Sequence, residues 1–88
     1  MSLNFALKLL EESKPYIITV ETKNGKNYRG KLKLIEENMN CHLQDVVVLH
    51  INGNIERYKT VFIRGNSCKL FIIPDLIGET PLMRERDF

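Results

Sequence analysis

Residues 28–43 read "YRGKLKLIEENMNCHL", and the two halves of that stretch follow different rules. Tyr28, Gly30, Leu32 and Leu34 alternate with Arg29, Lys31 and Lys33. A period of two with a clean polar face marks a half-buried antiparallel strand. Gly30 in mid-strand predicts a sharp bend or a close backbone approach. Then "EENMN", residues 36–40, breaks the alternation before a second strand-like run, "HLQDVVVLHI". Strand connections are usually built from Gly, Pro, Asn and Asp. This one has neither Gly nor Pro, and it sets Met39 between Asn38 and Asn40.

Working outward, the period of two persists. In "YIITVET", Tyr16, Ile18 and Val20 share a face, and "KNGK" (23–26) is a hairpin turn carrying Asn-Gly, a strong short-range signal. A second Asn-Gly, at 52–53, precedes "IERYKTVFI", where Arg57 and Lys59 alternate with Tyr58, Thr60 and Phe62. "RGNS" (64–67) breaks the pattern again, and "CKLFII" closes the sheet before Pro74. Upstream, Leu3, Leu7 and Leu10 have helical spacing, with Ser2 as N-cap and Pro15 as terminator. So short a helix must pack on something else. In the tail, Thr80 and Pro81 have the order of an N-cap and first helical position, which predicts one more helical turn. The expected architecture is all-β: a short N-terminal helix plus a five-stranded, strongly bent antiparallel open barrel, with the domain over 1–78 and a tail over 79–88.

A chain of 88 residues makes one domain. At that size only about 60% of the unfolded surface is buried, so a partner would add stability. No stretch approaches the roughly 20 apolar residues of a membrane span, so no membrane partner is expected. "FALKLL" is too short for a signal peptide's apolar region. Two cysteines, Cys41 and Cys68, read as reduced thiols of an intracellular protein. The net charge of +2 is weak evidence for nucleic acid. Lys23, Lys26, Arg29, Lys31 and Lys33 do cluster, either as a solvated outer face or as a modest lure for RNA phosphates.

Two stretches are apolar where a closed monomer would not need them: Val61, Phe62 and Ile63 in the fourth strand, and Leu70, Phe71 and Ile72 in the fifth. Exposed apolar edges invite pairing with another chain, and head-to-tail pairing closes into rings when the rotation allows. The alternative is that the helix or the tail covers them.

Catalysis finds little support. Cys41, His42, His50 and Cys68 match no zinc spacing, Glu36 and Glu37 diverge if extended, and the glycines form no phosphate loop. Neither metal nor cofactor is expected. There remain the two polar breaks, Asn38 and Asn40 in one and Arg64, Gly65 and Asn66 in the other. An Asn amide both donates and accepts, and an Arg guanidinium can stack on a base. If the loops meet, they form a pocket for one unpaired nucleotide. Equally, the Asn residues could make side-chain turns, Met39 could plug the core and Arg64 could pair with an acid. The residues alone do not choose.

Taken together, "YRGKLKLIEENMNCHL" and "VFIRGNSCKLFIIPD" resemble the two-part Sm motif, over about residues 3–77. "SKPYIITVET" and "NMNC" resemble the spliceosomal Sm proteins of the D-three type. The resemblance implies a non-enzymatic subunit of a hetero-heptameric ring on the uridine-rich site of small nuclear RNAs. It implies a role in pre-mRNA splicing, in the nucleus after a cytoplasmic assembly phase. Other Sm proteins would be partners, joined by pairing strand four with strand five. Asn38, Asn40, Arg64 and Gly65 would contact the base, with Glu36 and Met39 supporting the loop. Asn38 stands where many members have an aromatic or His, so its stacking should be weaker than the roughly 1–3 kcal/mol of an aromatic. Glu36 replaces the commoner Asp. Members of the D-three type usually continue into an Arg-Gly-rich tail, whereas this sequence ends in "RERDF", so tail functions are not implied. Two other readings are a homo-oligomeric Sm-like RNA chaperone and a protein-interaction module that never touches RNA.

Overall fold

The computed structural model describes the backbone of residues 17–75 and 78–83 and the side chains of residues 17–73. The helix expected over residues 3–10 lies outside the described residues. The strands are β1 (Ile17–Thr22), β2 (Asn27–Ile35), β3 (Cys41–Leu49), β4 (Ile55–Ile63), β5 (Cys68–Asp75) and β6 (Gly78–Met83), with a 3-10 turn at Gly65–Ser67. All belong to one antiparallel sheet in the order β4-β3-β2-β1-β5-β6.

That order forces the sheet to curl. Ile63 at the end of β4 pairs with Cys41, and Cys68 at the start of β5 pairs with Thr22 of β1. The steps from Ile63 to Cys68 span at most about 18 Å. In a flat sheet β4 and β5 would be about 19 Å apart before any offset along the strands. The connection is further shortened by its 3-10 turn, so β4 must swing round toward β1. Two compensating bulges supply the bend. Arg29 pairs with Val47 but Lys31 with Gln44, which leaves an extra residue in β3, where Asp45 has φ 55°. Leu32 pairs with Leu43 but Leu34 with His42, which leaves an extra residue in β2. Gly30 sits within the first bulge, where a Cβ would stand 2.9 Å from the Gln44 carbonyl oxygen. This is the close approach its position predicts.

The second bulge corrects one expectation. Alternation places Leu34 beside Leu32, but the extra residue shifts the phase, so Leu34 is exposed and Ile35 is buried. In β1 to β3 the core is otherwise the expected inner face, with Ile18, Val20, Leu32, Leu43 and Val46 almost wholly buried beside Phe71 of β5, but in β4 Tyr58, Thr60 and Phe62 are exposed and Ile63 is the residue that faces in. Arg29, Lys31 and Lys33 are exposed on the other side, and the Lys31–Asp45 ion pair there, at 3.3 Å, is largely solvated.

The C-terminal expectations also change. Thr80 and Pro81 do not open a helical turn but lie in β6, whose pairing with β5 runs from Asp75↔Gly78 to Phe71↔Met83. β5 itself continues through Pro74 to Asp75. Backbone groups on the outer side of β5 need partners, and an edge strand tolerates a proline. Leu70, Phe71 and Ile72 are therefore not on a free edge in the isolated chain, because β5 lies between β1 and β6. Val61, Phe62 and Ile63 do lie on the terminal strand β4.

Three hairpin turns share one design. Residues 22–26, 36–40 and 50–54 are each closed by a bond from the first residue's N–H to the fifth residue's carbonyl, at 2.9 Å in every case. In each, the fourth N–H donates back to the first carbonyl. The fourth residue has positive φ: Gly25 at 88°, Gly53 at 88° and Met39 at 69°. This is a three-residue hairpin with a glycine-type bulge, and Met39 stands where the other two have glycine. A side chain in that left-handed conformation costs about 1–2 kcal/mol. Burying Met39, only 4% exposed, returns about 1.5–3 kcal/mol. The strained backbone is the means of driving that side chain into the core.

The usual glycine penalty should therefore invert here. Met39→Ala keeps the strain and loses the burial, and should cost about 2–5 kcal/mol. Met39→Gly should be less destabilised than Met39→Ala, by about 1 kcal/mol. Urea denaturation of the two variants checks this, and an alanine variant as stable as the glycine one would refute it.

Candidate nucleic-acid interface

The two polar breaks, far apart in sequence, meet in space. The Gly65 N–H donates to Asn40 Oδ1 at 2.7 Å. The contact is closer still at Gly65 Cα: an added Cβ would lie 2.1 Å from the Asn38 carbonyl oxygen and 2.9 Å from the Met39 carbonyl carbon. Gly65 is thus required by the approach of the facing loop's backbone, not by its own turn conformation. The second loop is tied at its far end by the Ser67 N–H bond to the Arg64 carbonyl, at 3.0 Å, and by the Lys23 N–H bond to the Ser67 carbonyl, at 2.9 Å.

Both amides of the first loop are oriented by backbone donors. Asn38 Oδ1 accepts from the Asn40 N–H at 3.2 Å. Asn24 and Asn52 accept in the same way in the other two turns, so this is turn chemistry. Asn40 Oδ1 is held by Gly65. Within a side-chain amide only the oxygen can accept from an N–H, so each amide turns its oxygen toward the backbone and leaves its NH2 to the outside. Arg64 is exposed, and among the described residues no acid pairs with it. The loops thus frame an open recess of about 340 Å³ lined by Asn38, Asn40, Phe62, Arg64 and Asn66.

The expectations divide accordingly. Asn38, Asn40 and Arg64 line one recess, Gly65 joins its two halves, and Met39 points into the core. The turn-forming reading of Asn38 and the core-plug reading of Met39 hold as well, and they are compatible with a recess. Glu36 acts through a neighbour: its Oε2 lies 3.0 Å from His42 Nε2. The His42 ring meets Phe62 edge-on, with centroids 4.7 Å apart. Sequence reasoning missed the place of Phe62 in the lining, while Asn66, set with Arg64 and Gly65 in the second polar break, does line the recess. For Phe62 the signal was present, since the cross-strand pairing of His42 with Phe62 follows once the hairpin register is set.

Each loop leads into a buried cysteine. Cys68 Sγ donates to the Arg64 carbonyl at 3.4 Å. The hydrogen bond with Cys68, and then burial, push the Cys41 thiol far above its ordinary value. Cys41 is packed in the core, as is Cys68, consistent with the buried reading from sequence.

With the site in view, comparison with known proteins gives a consistent answer. An LSM domain model matches residues 8–73, and the chain belongs to that family. Among its relatives is the small nuclear ribonucleoprotein Sm D3 of Schizosaccharomyces pombe, 37% identical over 82 residues, covering 93% of this chain and 84% of that protein. The Sm D3 protein of Caenorhabditis elegans is 39% identical over 83 residues, covering 94% of this chain. The chain spans 61% of that nematode protein's length. The fold matches a Pyrococcus abyssii Sm protein solved in complex with a uridine heptamer, with TM-score 0.70, 23% identity and coverage of 84% of this chain and 96% of that one.

Gly65→Ala should force the loops apart and cost about 1–3 kcal/mol in thermal or chemical unfolding. Gly53, where an added Cβ meets nothing within 4 Å, is the control. Gly53→Ala should cost only its positive-φ penalty of about 1 kcal/mol and leave the recess intact. Equal losses at the two positions would mean the loops are not in obligatory contact.

Proposed function

We propose that this chain is a non-enzymatic, RNA-binding subunit of a hetero-heptameric Sm ring, assembled on the uridine-rich site of spliceosomal small nuclear RNAs. It would act in pre-mRNA splicing in the nucleus, after a cytoplasmic assembly phase. The partners are single-stranded RNA and other Sm proteins, joined through strand edges. The kinship with Sm D3 proteins supports the ring and the RNA class.

The observation that carries the local mechanism is the orientation of the amides. With both oxygens engaged by backbone N–H groups, the recess offers the donors of Asn38, Asn40 and Arg64. A uracil edge presents carbonyl oxygens flanking an N–H, which suits donors. Adenine, with its exocyclic amine, would meet donor with donor. Asn40 Oδ1 keeps a second lone pair, so it can also take the uracil N–H. Arg64 lies exposed over the recess, where its guanidinium can cover the base face, and Phe62 closes one wall. Asn38 adds only a small planar surface. One such pocket binds weakly, and affinity comes from engaging several pockets around a ring at once.

Asn40→Asp tests this with little disturbance to the fold. The carboxylate still accepts from the Gly65 N–H, but its NH2 is gone and a negative charge faces the RNA. Assembly and melting temperature should stay near those of the unmodified protein. Affinity of the assembled ring for oligo-uridine should fall on the order of tenfold, equivalent to about 1.4 kcal/mol. Filter binding or calorimetry on the co-expressed ring measures it. Undiminished binding by an intact ring carrying both Asn40→Asp and Arg64→Ala would favour the interaction-module reading. A stable homo-heptamer of the purified chain would favour the chaperone reading.

A further inference from the structure

The isolated chain has unequal sheet edges. Among the described residues β4 is unpaired along its outer side from Ile55 to Ile63, with Ile55, Tyr58 and Phe62 exposed. At the other end, the outer side of β5 is occupied by β6. This β5–β6 ladder is the weaker kind of pairing. It runs only over Phe71–Asp75, has a register shift between Phe71 and Ile72, and sets Pro81 opposite Ile72. Proline brings no N–H to a ladder. Among the described residues Cys68, Lys69 and Leu70 have no partner on the β6 side. β6 is also a poorer template for further growth, because it is shorter than β4.

We infer that β6 is a removable cover: it holds the β5 edge closed in the free subunit and is displaced when the β4 strand of a neighbouring Sm subunit pairs with β5. This rests on the ring assembly proposed above and specifies how that assembly is gated. The occupant that fits the β5 edge is a longer strand with an uninterrupted row of donors and apolar ends. The chain's own β4 has that character, and an Sm-family neighbour would present the corresponding strand. The cover wins in the free subunit because only Leu76 and Ile77 separate β5 from β6, which gives it an effective concentration on the order of millimolar or above. A neighbour wins once pairing around a ring adds contacts that β6 cannot match. The gate spares the free subunit an open β5 edge, which would otherwise pair indiscriminately.

Two full-length variants test this. In one, Ile72→Cys and Pro81→Cys place cysteines at directly opposed positions, so oxidation locks β6 to β5 and reduction frees it. The native thiols are buried and not expected to compete. In the other, Gly78–Met83 is replaced by a Gly-Ser sequence of the same length. Each is mixed with candidate Sm-family subunits and read by native mass spectrometry, with circular dichroism to confirm the sheet. The oxidised form should lose pairing at least tenfold relative to its reduced form, and the Gly-Ser form should pair at severalfold lower concentration than the unmodified chain. If the oxidised, folded form pairs as well as the reduced form, the cover model is overturned while the ring reading stands. Should the Gly-Ser form pair no better than the unmodified chain, the cover has no gating effect and the model fails. If no form pairs with any Sm subunit, both readings fall.

Discussion

The bond from the Gly65 N–H to Asn40 Oδ1 is the constraint on which the rest of this structure depends. It joins the β2–β3 loop to the β4–β5 connection, the short crossing that closes the barrel. Neither loop fills the space alone. Gly65 must lack a Cβ because the Asn38 carbonyl occupies its place, and Asn40 must offer an oxygen because the group facing it is an N–H. The same bond decides which end of the Asn40 amide faces outward. Closing the fold and choosing the chemistry of the recess are therefore one event. A substitution that keeps the acceptor but removes the outward donor can separate them.

Met39 is the second half of that arrangement. A glycine at its position would make an easier turn, as Gly25 and Gly53 do in the other hairpins. The strain is tolerated because the left-handed backbone sends the side chain inward while Asn38 and Asn40 remain at the rim. Ile35 and Cys41, which flank the loop, are buried with it, so the loop is anchored to the core on both sides and in the middle. That rigidity suits a binding loop, since little ordering remains to be lost when a ligand arrives.

Much of this was legible in the sequence, and the failures have identifiable physical causes. Alternation located β1 to β3, because each has one face against the core, whereas β4 is exposed from Ile55 to Thr60 and turns only Ile63 fully inward. It failed at Leu34, where a bulge shifts the phase by one residue, and a bulge leaves no compositional signature in a run as apolar as "LKLI". The Thr80–Pro81 pair looked like a helix start by local preference, but the unpaired outer side of β5 offered a strand a better partner. That is a tertiary effect no short window can see. Asn38, Asn40 and Arg64 were recognisable as a polar set, yet their meeting depends on a barrel closure that only the register reveals. Phe62 was read as an edge residue, which it is, and it also lines the recess, because the last pair of β4 residues reaches the same rim.

A further question is why only one of three nearly identical turns borders the recess proposed as the site. Asn24, Asn38 and Asn52 all direct their oxygens at the backbone N–H two residues on, so all three leave an amide nitrogen outside. Around Gly53 there is open space, and against Gly25 lies the aliphatic side chain of Ile51. The 22–26 turn meets the second polar loop only through the Lys23 N–H bond to the Ser67 carbonyl, at the end away from Arg64. At residues 36–40 the facing element is the backbone of Arg64–Gly65, which adds a guanidinium above the same rim. The proposed recognition thus rests on juxtaposition and not on the turn motif. It follows that transplanting "ENMN" into another hairpin would move the turn without moving the site, because the donors of Arg64 and the acceptor duty imposed by Gly65 would stay behind.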